Sequence, residues 1–470
     1  MGRKIAIIGA GADAVLALIH LVGARDGIDC VYNDDIIYWI RDCSHKVENF
    51  GVQMDPMGVN IIGANTTLSC LDFHRRFDAT RKLGMKYIGF GARRDHNFFN
   101  YYDTSESSLH VDEGKLVEFF WENFTKQHKW GDVVMVDKRV NSLEISKQGC
   151  KVDGEDFDFV VDCVRGSLIN KDDYHPAYYN PTDTTLTVNR RIPGDWNYTA
   201  FIACEHGYLT GIPTADAQTW VYSYDSDITT EEEAVKDFNK HCEVKKHCSY
   251  KKTEWDHNIS DYCIHPCGRY ARTGRALGFN DEFLGFKSYP EADLSEAIAI
   301  YLYEDPDRQF TNFQRMDVEE RWEDNKIDYA TTLAFYCQFG TQYKSDFWEK
   351  TRADSCRFLE NRDMHLPDRR EVYNDGFEQD YIPVHENIRL DYFRRQAENP
   401  RHLKMRMTDK GSDEMYRTVG SNYQIFIEAI KGLGAPYADK FPVMCDPVLP
   451  PEPFGEIGGD VIFLAPDGLR

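Results

Sequence analysis

The chain has 470 residues, 42% of them hydrophobic and 13% aromatic, enough for a large core and, on length alone, two or three domains. Its formal charge is −23, so its surface repels nucleic acid and anionic membranes, and an anionic ligand must be held by local features. Thirteen scattered cysteines, an odd number, argue for reduced thiols in a cytoplasmic setting, and no uninterrupted apolar run of about 18 residues is available to span a membrane.

The first 22 residues carry the clearest pattern. A short β-branched run (Ile5-Ala6-Ile7-Ile8) meets Gly9-Ala10-Gly11-Ala12-Asp13-Ala14, and a strongly apolar helical pattern follows. Strand, glycine turn and helix N-terminus in that order form a dinucleotide cradle. Gly9 permits the tight turn, Gly11 lets backbone approach the phosphates, and Ala14 keeps helix and strand close. The unpaired N–H groups of the first turn, including those of Ala12 and Asp13, favour negative charge. A second strand is expected over 27–32. The acids after it, Asp34 first and Asp35 behind it, are candidates for the adenosine ribose, although turn acids have the same composition.

Further on, 61–67 reads as a loop leading into a helix near 68–76. Alternation from Met85 suggests a strand, with Lys82 before it and Lys86 inside it. A helical rhythm covers 113–129, and 133–136, 140–145 and 150–152 read as a β-meander. Phe157–Asp162 reads as a buried strand. Strands at 184–188, 198–204 and 220–224 suggest a second sheet. Long helices are expected from Asp293 onward, around 298–303, 329–336 and 423–430. Cys263-Ile264-His265-Pro266-Cys267 has metal-ligand residue types but no second pair at zinc spacing, so no metal site is expected. The fold expected is α/β, mixed α+β in detail. Residues 1–295 form a Rossmann-like nucleotide module interleaved with the second sheet, and the mainly helical 296–470 packs on it.

Lys82-Leu83-Gly84-Met85-Lys86-Tyr87 resembles the Lys-x-x-x-Lys-aromatic stretch of the flavin-dependent halogenases of the tryptophan halogenase type. Other segments are similar in the same order. Ile62-Gly63-Ala64-Asn65-Thr66-Thr67 looks like a degenerate form of the family's flavin-proximal VGEAT loop, and Asp95-His96-Asn97-Phe98 resembles its Asp-His-Phe-Tyr segment. Trp220-Val221-Tyr222-Ser223 is similar to its YVYS strand. Arg272 to Gly278 lies where the family turns back to the flavin, and residues 327–348 resemble a helical segment ending in TPFW.

The resemblance implies a flavin monooxygenase-type fold and FAD, used as FADH2 with O2 and a halide ion. Lys82 would be the catalytic lysine, and Gly9, Gly11, Ala12, Asp13, Ala14, Asp34, Ala64, Asn65 and Arg275 would be cofactor contacts. An ungapped placement puts Glu291 at the family's flavin-side glutamate. No second dinucleotide turn follows a strand, which favours reduced FAD delivered by a separate flavin reductase. A small electron-rich aromatic substrate and a homo-oligomer are also implied.

The family's Trp-x-Trp-x-Ile-Pro signature appears as Tyr208-Leu209-Thr210-Gly211-Ile212-Pro213, with both tryptophans gone. That departure implies an outlying branch, viral or environmental, and a more open site that favours bromide or iodide over chloride. It also leaves an FAD-dependent aromatic hydroxylase, or a flavin-binding module without turnover, as alternatives. The lysine has a physical rationale of its own. A buried lysine has a lowered pKa, so its amine can polarise hypohalous acid or carry the halogen, and a nearby carboxylate can collect the ring proton.

Overall fold

Strand β1 (Lys4–Ile8) is buried along nearly its whole length because parallel strands run on both sides of it. Ile8 lies opposite Ile40 of β2 (Ile36–Arg41) on one side and Asp162 of β12 (Phe159–Asp162) on the other. β8 (Val133–Asp137) extends the sheet past β2, and β20 (Tyr270–Arg272) extends it past β12. Five parallel strands in the order β20-β12-β1-β2-β8 result. Strands covered on both faces need apolar residues at successive positions, as β1 and β12 have. The computed structural model describes residues 2–354, apart from 27–33, 45–46, 55, 67, 69, 83, 89–96, 102–107, 124–132, 165–170, 177–179, 195, 197, 243–249, 255–257, 279–287, 304–313, 323–342 and 352.

Helix α1 (Ala12–Arg25) leaves the C-terminal end of β1 and is buried from Asp13 to Val22. Such all-round burial follows from its neighbours: α2 (Pro56–Asn65), α4 (Glu113–Asn123) and α6 (Ser288–Tyr303) all pack on it. Of the meander expected at 133–136, 140–145 and 150–152, the last two form as β9 (Leu143–Ile145) and β10 (Cys150–Val152) with β11 (Glu155–Phe157) as the third strand, whereas 133–136 belongs to β8 of the parallel sheet.

The second sheet has seven strands. β18 (Lys251–Glu254), β14 (Thr184–Arg190), β17 (Gln218–Tyr224), β16 (Tyr208–Pro213), β15 (Thr199–Ala203), β5 (Gly84–Ile88) and β6 (Asn97–Tyr101) lie side by side in that order. Its pairs are antiparallel except β15 with β5, which are parallel. Helix α5 (Glu231–His241) begins with a Thr230–Glu233 capping box and sets Phe238 edge-on against Tyr222. A third sheet of β3 (Gly51–Met54), β7 (Leu109–Asp112) and β4 (Thr80–Arg81) is fastened to the second by the Gly51 N–H, which donates to Thr219 Oγ1 at 2.7 Å. Helix α3 (Cys70–Arg76) and the pair β13 (Tyr174–Pro176) with β19 (Asn258–Ser260) complete the named elements.

Other sequence expectations change as well. The strand beside β1 is 36–41, where Ile36-Ile37-Tyr38-Trp39-Ile40 is a β-branched and aromatic run; the expected 27–32 lies wholly outside the described residues. Residues 61–65 are the C-terminal end of α2 and not a loop, since Gly58 and Gly63 do not break that helix. The boundary expected at 295 falls inside α6, and the helices expected at 329–336 and 423–430 lie outside the described residues. Among the described residues no helix is long and apolar enough to cross a membrane.

Two stability tests follow from the strand ends around β1. Trp39 is fully buried and its Nε1 donates to the Gly9 carbonyl at 2.9 Å. Trp39→Phe leaves that acceptor unpaired, an expected loss of about 1–3 kcal/mol in urea unfolding. Burial pushes the Asp162 carboxyl up from 3.8 to about 6, against hydrogen bonds from the Val164 N–H and Tyr270 hydroxyl and the attraction of Arg272. A carboxyl whose native pKa is raised stabilises the fold fully below its unfolded value and loses that contribution as pH rises through the native value. The loss is on the order of 3 kcal/mol between about pH 4 and pH 7. Asp162→Asn should flatten the stability profile over that window; an unchanged slope would rule Asp162 out as its source.

Candidate active site

The turn after β1 is tight for a steric reason. Gly9 has φ +152°, and a Cβ there would lie 2.8 Å from the Cys163 Cβ and 3.4 Å from the Ala14 Cβ. Its N–H donates to the Ile40 carbonyl at 3.1 Å, which ties the turn to β2. At Gly11 a Cβ would meet Asp13 Oδ1 at 2.5 Å and Glu113 Oε1 at 3.2 Å, so the bare face of this glycine is where two carboxylates approach.

Those carboxylates bind the start of α1. The Ala12 N–H donates to Glu113 Oε1 at 3.1 Å, and the Ala14 N–H donates to Asp13 Oδ1 at 2.9 Å. Across the turn, the Arg275 N–H donates to Asp13 Oδ2 at 3.2 Å and its Nη2 lies 3.3 Å from both Glu113 oxygens. Burial raises the Asp13 pKa; Arg275 pulls it back down and Glu113 raises it further. The helix N-terminus therefore already holds an oxygen anion, on a backbone N–H and beside an arginine. The pyrophosphate of FAD makes the same demand. These residues fit it, with the Glu113 carboxylate as the group that gives way.

Ala12, Asp13, Glu113, Arg275, Gln53 and Glu291 line one cavity beside this turn. Ala12, Asp13, Arg275 and Glu291 were candidates in the sequence, and the fold brings them together next to Gly9, Gly11 and Ala14. Glu291 comes from the first turn of α6 and is 7% exposed.

Three candidates sit elsewhere. Ile36 pairs with Lys4 and Ile40 with Ile8, so Asp34, before β2, lies at the end of the sheet away from the glycine turn. Its neighbour Asp35 is buried in an ion pair with Arg3, 2.6 Å from Nη2. The acid that follows β2 on the turn side is Asp42, which accepts the Ser44 N–H at 2.9 Å. Ala64 is exposed near the end of α2, and Asn65 is that helix's last residue. The cavity wall is supplied instead by Val52, Gln53 and Met54 of β3. Sequence reasoning missed Gln53 and Glu113. The approach of a short strand to Pro56 and a new helix was the available signal for Gln53. For Glu113, it was an acid opening a helix directly after a strand.

Lys82 is 2% exposed. It follows β4, and its N–H continues that strand's ladder by donating to the Ser108 carbonyl at 2.8 Å. In the same small sheet Gln53 lies opposite His110, and His110 lies opposite Thr80, two residues before Lys82. His110 is fully buried, and its pKa is held well below the usual imidazole value first by burial and then by the Lys82 charge. His110 is therefore neutral. Its Nε2 lies 2.9 Å from Thr199 Oγ1, and that hydroxyl lies 2.6 Å from Gln53 Oε1. A chain of hydrogen bonds thus runs from the cavity wall to the histidine beside Lys82. Pro213, the last residue of the altered Tyr208–Pro213 segment, accepts the Thr80 hydroxyl at 2.8 Å. Lys86 pairs with Ala200 through its backbone, and His96 lies outside the described residues.

Neither a protein-family model nor a curated protein matches the sequence. Solved structures do match in fold. VirX1 in its apo form shares 13% identity over 81% of this chain and 86% of its own, with a TM-score of 0.65. BrvH, a flavin-dependent halogenase from Brevundimonas sp. BAL3, shares 14% over 76% of this chain and 84% of its own, with a TM-score of 0.64. Xcc4156, a flavin-dependent halogenase from Xanthomonas campestris, shares 14% over 96% of this chain and 100% of its own, with a TM-score of 0.65. At such identities the likeness is one of architecture: the chain has the Rossmann-like fold of the flavin-dependent halogenases.

Proposed function

We propose that this chain is an FAD-dependent halogenase acting on a small electron-rich aromatic such as a phenol, indole or pyrrole, with reduced FAD supplied by a separate reductase. The observation that carries the reading is Lys82, a lysine 2% exposed, beside a neutral histidine in the sheet that also walls the dinucleotide cavity. Reduced FAD with O2 and a halide supplies hypohalous acid. The chain's own contribution is to anchor the phosphates at Ala12 and Arg275 and to exclude water around Lys82. The Lys82 amine holds and polarises the electrophilic halogen. A carboxylate near Lys82 would collect the proton the ring loses, and Glu291, on the wall of the anchor cavity, acts from the flavin side of the reaction.

With Tyr208 and Thr210 in place of two tryptophans, the reading favours bromide or iodide over chloride. The same substitution supports a second reading, an aromatic hydroxylase using the same flavin.

Wild-type protein given reduced FAD, O2 and a panel of phenols and indoles should yield products whose mass gain depends on bromide. A halide-independent gain of one oxygen would support the hydroxylase instead, and equal turnover with chloride would remove the halide preference. Lys82→Ala should lower halogenation by at least about 100-fold while FAD still binds. At the anchor, Glu113→Gln should tighten FAD binding by about two- to five-fold and Arg275→Ala should weaken it similarly, the effect of one charge at a helix terminus. Flavin fluorescence titration reads both, and opposite signs would refute the anchor.

A further inference from the structure

Asp13 is 3% exposed and lines the cavity beside the glycine turn. Its carboxyl is clamped by two separate turns of the chain. The Ala14 N–H holds Oδ1 at 2.9 Å, and the Arg275 N–H holds Oδ2 at 3.2 Å. Two glycines close around it: a Cβ on Gly11 would lie 2.5 Å from Oδ1, and a Cβ on Gly274 would overlap Oδ2 outright. Held at both oxygens, this carboxyl stays where it is when an anion enters, so a diphosphate at the start of α1 shares the cavity with it.

Positive charge is scarce there. Among the described residues Arg275 is the only cation lining the cavity, and its guanidinium is already paired with Glu113, which opens α4. Glu291, from the first turn of α6, lines the same cavity. Behind the turn, Asp162 and Cys163 end β12, and the Asp13 charge acts on both. Helix α2, the remaining helix packed on α1, and strand β3 carry no titratable side chain. Like charges that share a site do not all stay ionised; one of them takes a proton. Glu113 is the group that gives way to the phosphate, and once displaced it is ionised in solvent. Burial already raises the Asp13 pKa, and the Arg275 charge that opposes the rise is the charge a phosphate would claim.

We propose that binding of FAD is linked to uptake of a proton, and that Asp13 is the group that takes it. Ionised, the carboxyl pairs with the N–H groups of Ala14 and Arg275; neutral, it tolerates a diphosphate in the same cavity. The proton goes to Oδ2, the oxygen with the longer hydrogen bond, while Oδ1 continues to accept the Ala14 N–H. A proton taken up with the ligand makes the ligand bind more tightly at low pH, so the FAD Kd rises as pH rises. The inference rests on the FAD-dependent halogenase reading for the identity of the anion, and on the position of Asp13 for the rest.

The test uses the full-length protein and FAD, without turnover. Titration calorimetry in two buffers of different ionisation enthalpy counts the protons taken up, and flavin fluorescence gives the Kd over a range in which FAD itself neither gains nor loses a proton. Wild type should take up at least about half a proton per FAD, and its Kd should rise by about ten-fold between about pH 6 and pH 8. Asp13→Asn has no proton to gain: its uptake should fall to about 0.1 or less, with a Kd that changes by less than about two-fold over the same range. Glu113→Gln, Glu291→Gln and Asp162→Asn, which remove the neighbouring acids one at a time, should each keep most of the wild-type slope. Circular dichroism establishes that each variant folds, and the wild-type proton count stands without any of them. FAD that binds wild type with no proton uptake, or with release, overturns the linkage. A slope that survives in Asp13→Asn, or disappears in one of the other three, overturns the assignment to Asp13. A protein that takes up the proton with FAD but makes no halide-dependent product would remove the halogenase reading alone, whereas no FAD binding at any pH in the range would remove both.

Discussion

Gly9 turns the chain inside a gap bounded by Cys163 and Ala14, with its N–H bonded to Ile40 and its carbonyl to Trp39. The rest of the site depends on that constraint. Because the backbone can reverse there, α1 starts directly behind β1, and its first turn meets Gln53 of β3, Glu113 just after β7 and Arg275 just after β20. A side chain at position 9 would push α1 off the sheet, and the groups gathered around its first turn would separate.

The electrostatics of that turn are unusual for the phosphate anchor proposed there. Asp13 and Glu113 are nearly buried; Arg275 pairs its guanidinium with Glu113 and donates its backbone N–H to Asp13. Two carboxylates at a helix N-terminus match its dipole and take the N–H groups of Ala12 and Ala14. For a chain with a net charge of −23, the phosphate binding proposed for this turn would be an exchange of one anion for another. Selectivity then comes from geometry, since a phosphate must reach the same N–H that a tethered carboxylate already reaches.

Much of the fold could be read from the sequence. The Gly9–Ala14 turn, the second sheet and the meander strands at 143–145 and 150–152 are local patterns with strong periodicity and stand close to the expected places, whereas 133–137 joins the parallel sheet. What was misread was register over distance. The ribose-side acid was placed by counting from the glycine turn, and the count failed because the chain reaches β2 later than a minimal βαβ unit would. Ala64 and Asn65 follow from motif likeness, but the cavity is walled by Gln53, a full helix earlier, because a four-residue strand leaves almost no periodic signal. Lys82 was legible as a residue but its surroundings were not. The contacts to His110 and Thr199 join residues 80, 110 and 199, and no local pattern records such a meeting.

Lys82 stands between β4 and β5, where the chain leaves one sheet and joins another. Its backbone is bonded into the small sheet through Ser108, and two residues later the chain enters the large sheet beside β15. Neither sheet alone sets its position. A slide of the small sheet against the large one would shift this side chain directly, while leaving Gly9 and the anchor, which belong to the parallel sheet, where they are. The lysine is in that sense a pointer mounted on two plates, and the distance between anchor and pointer is a property of how the plates are stacked.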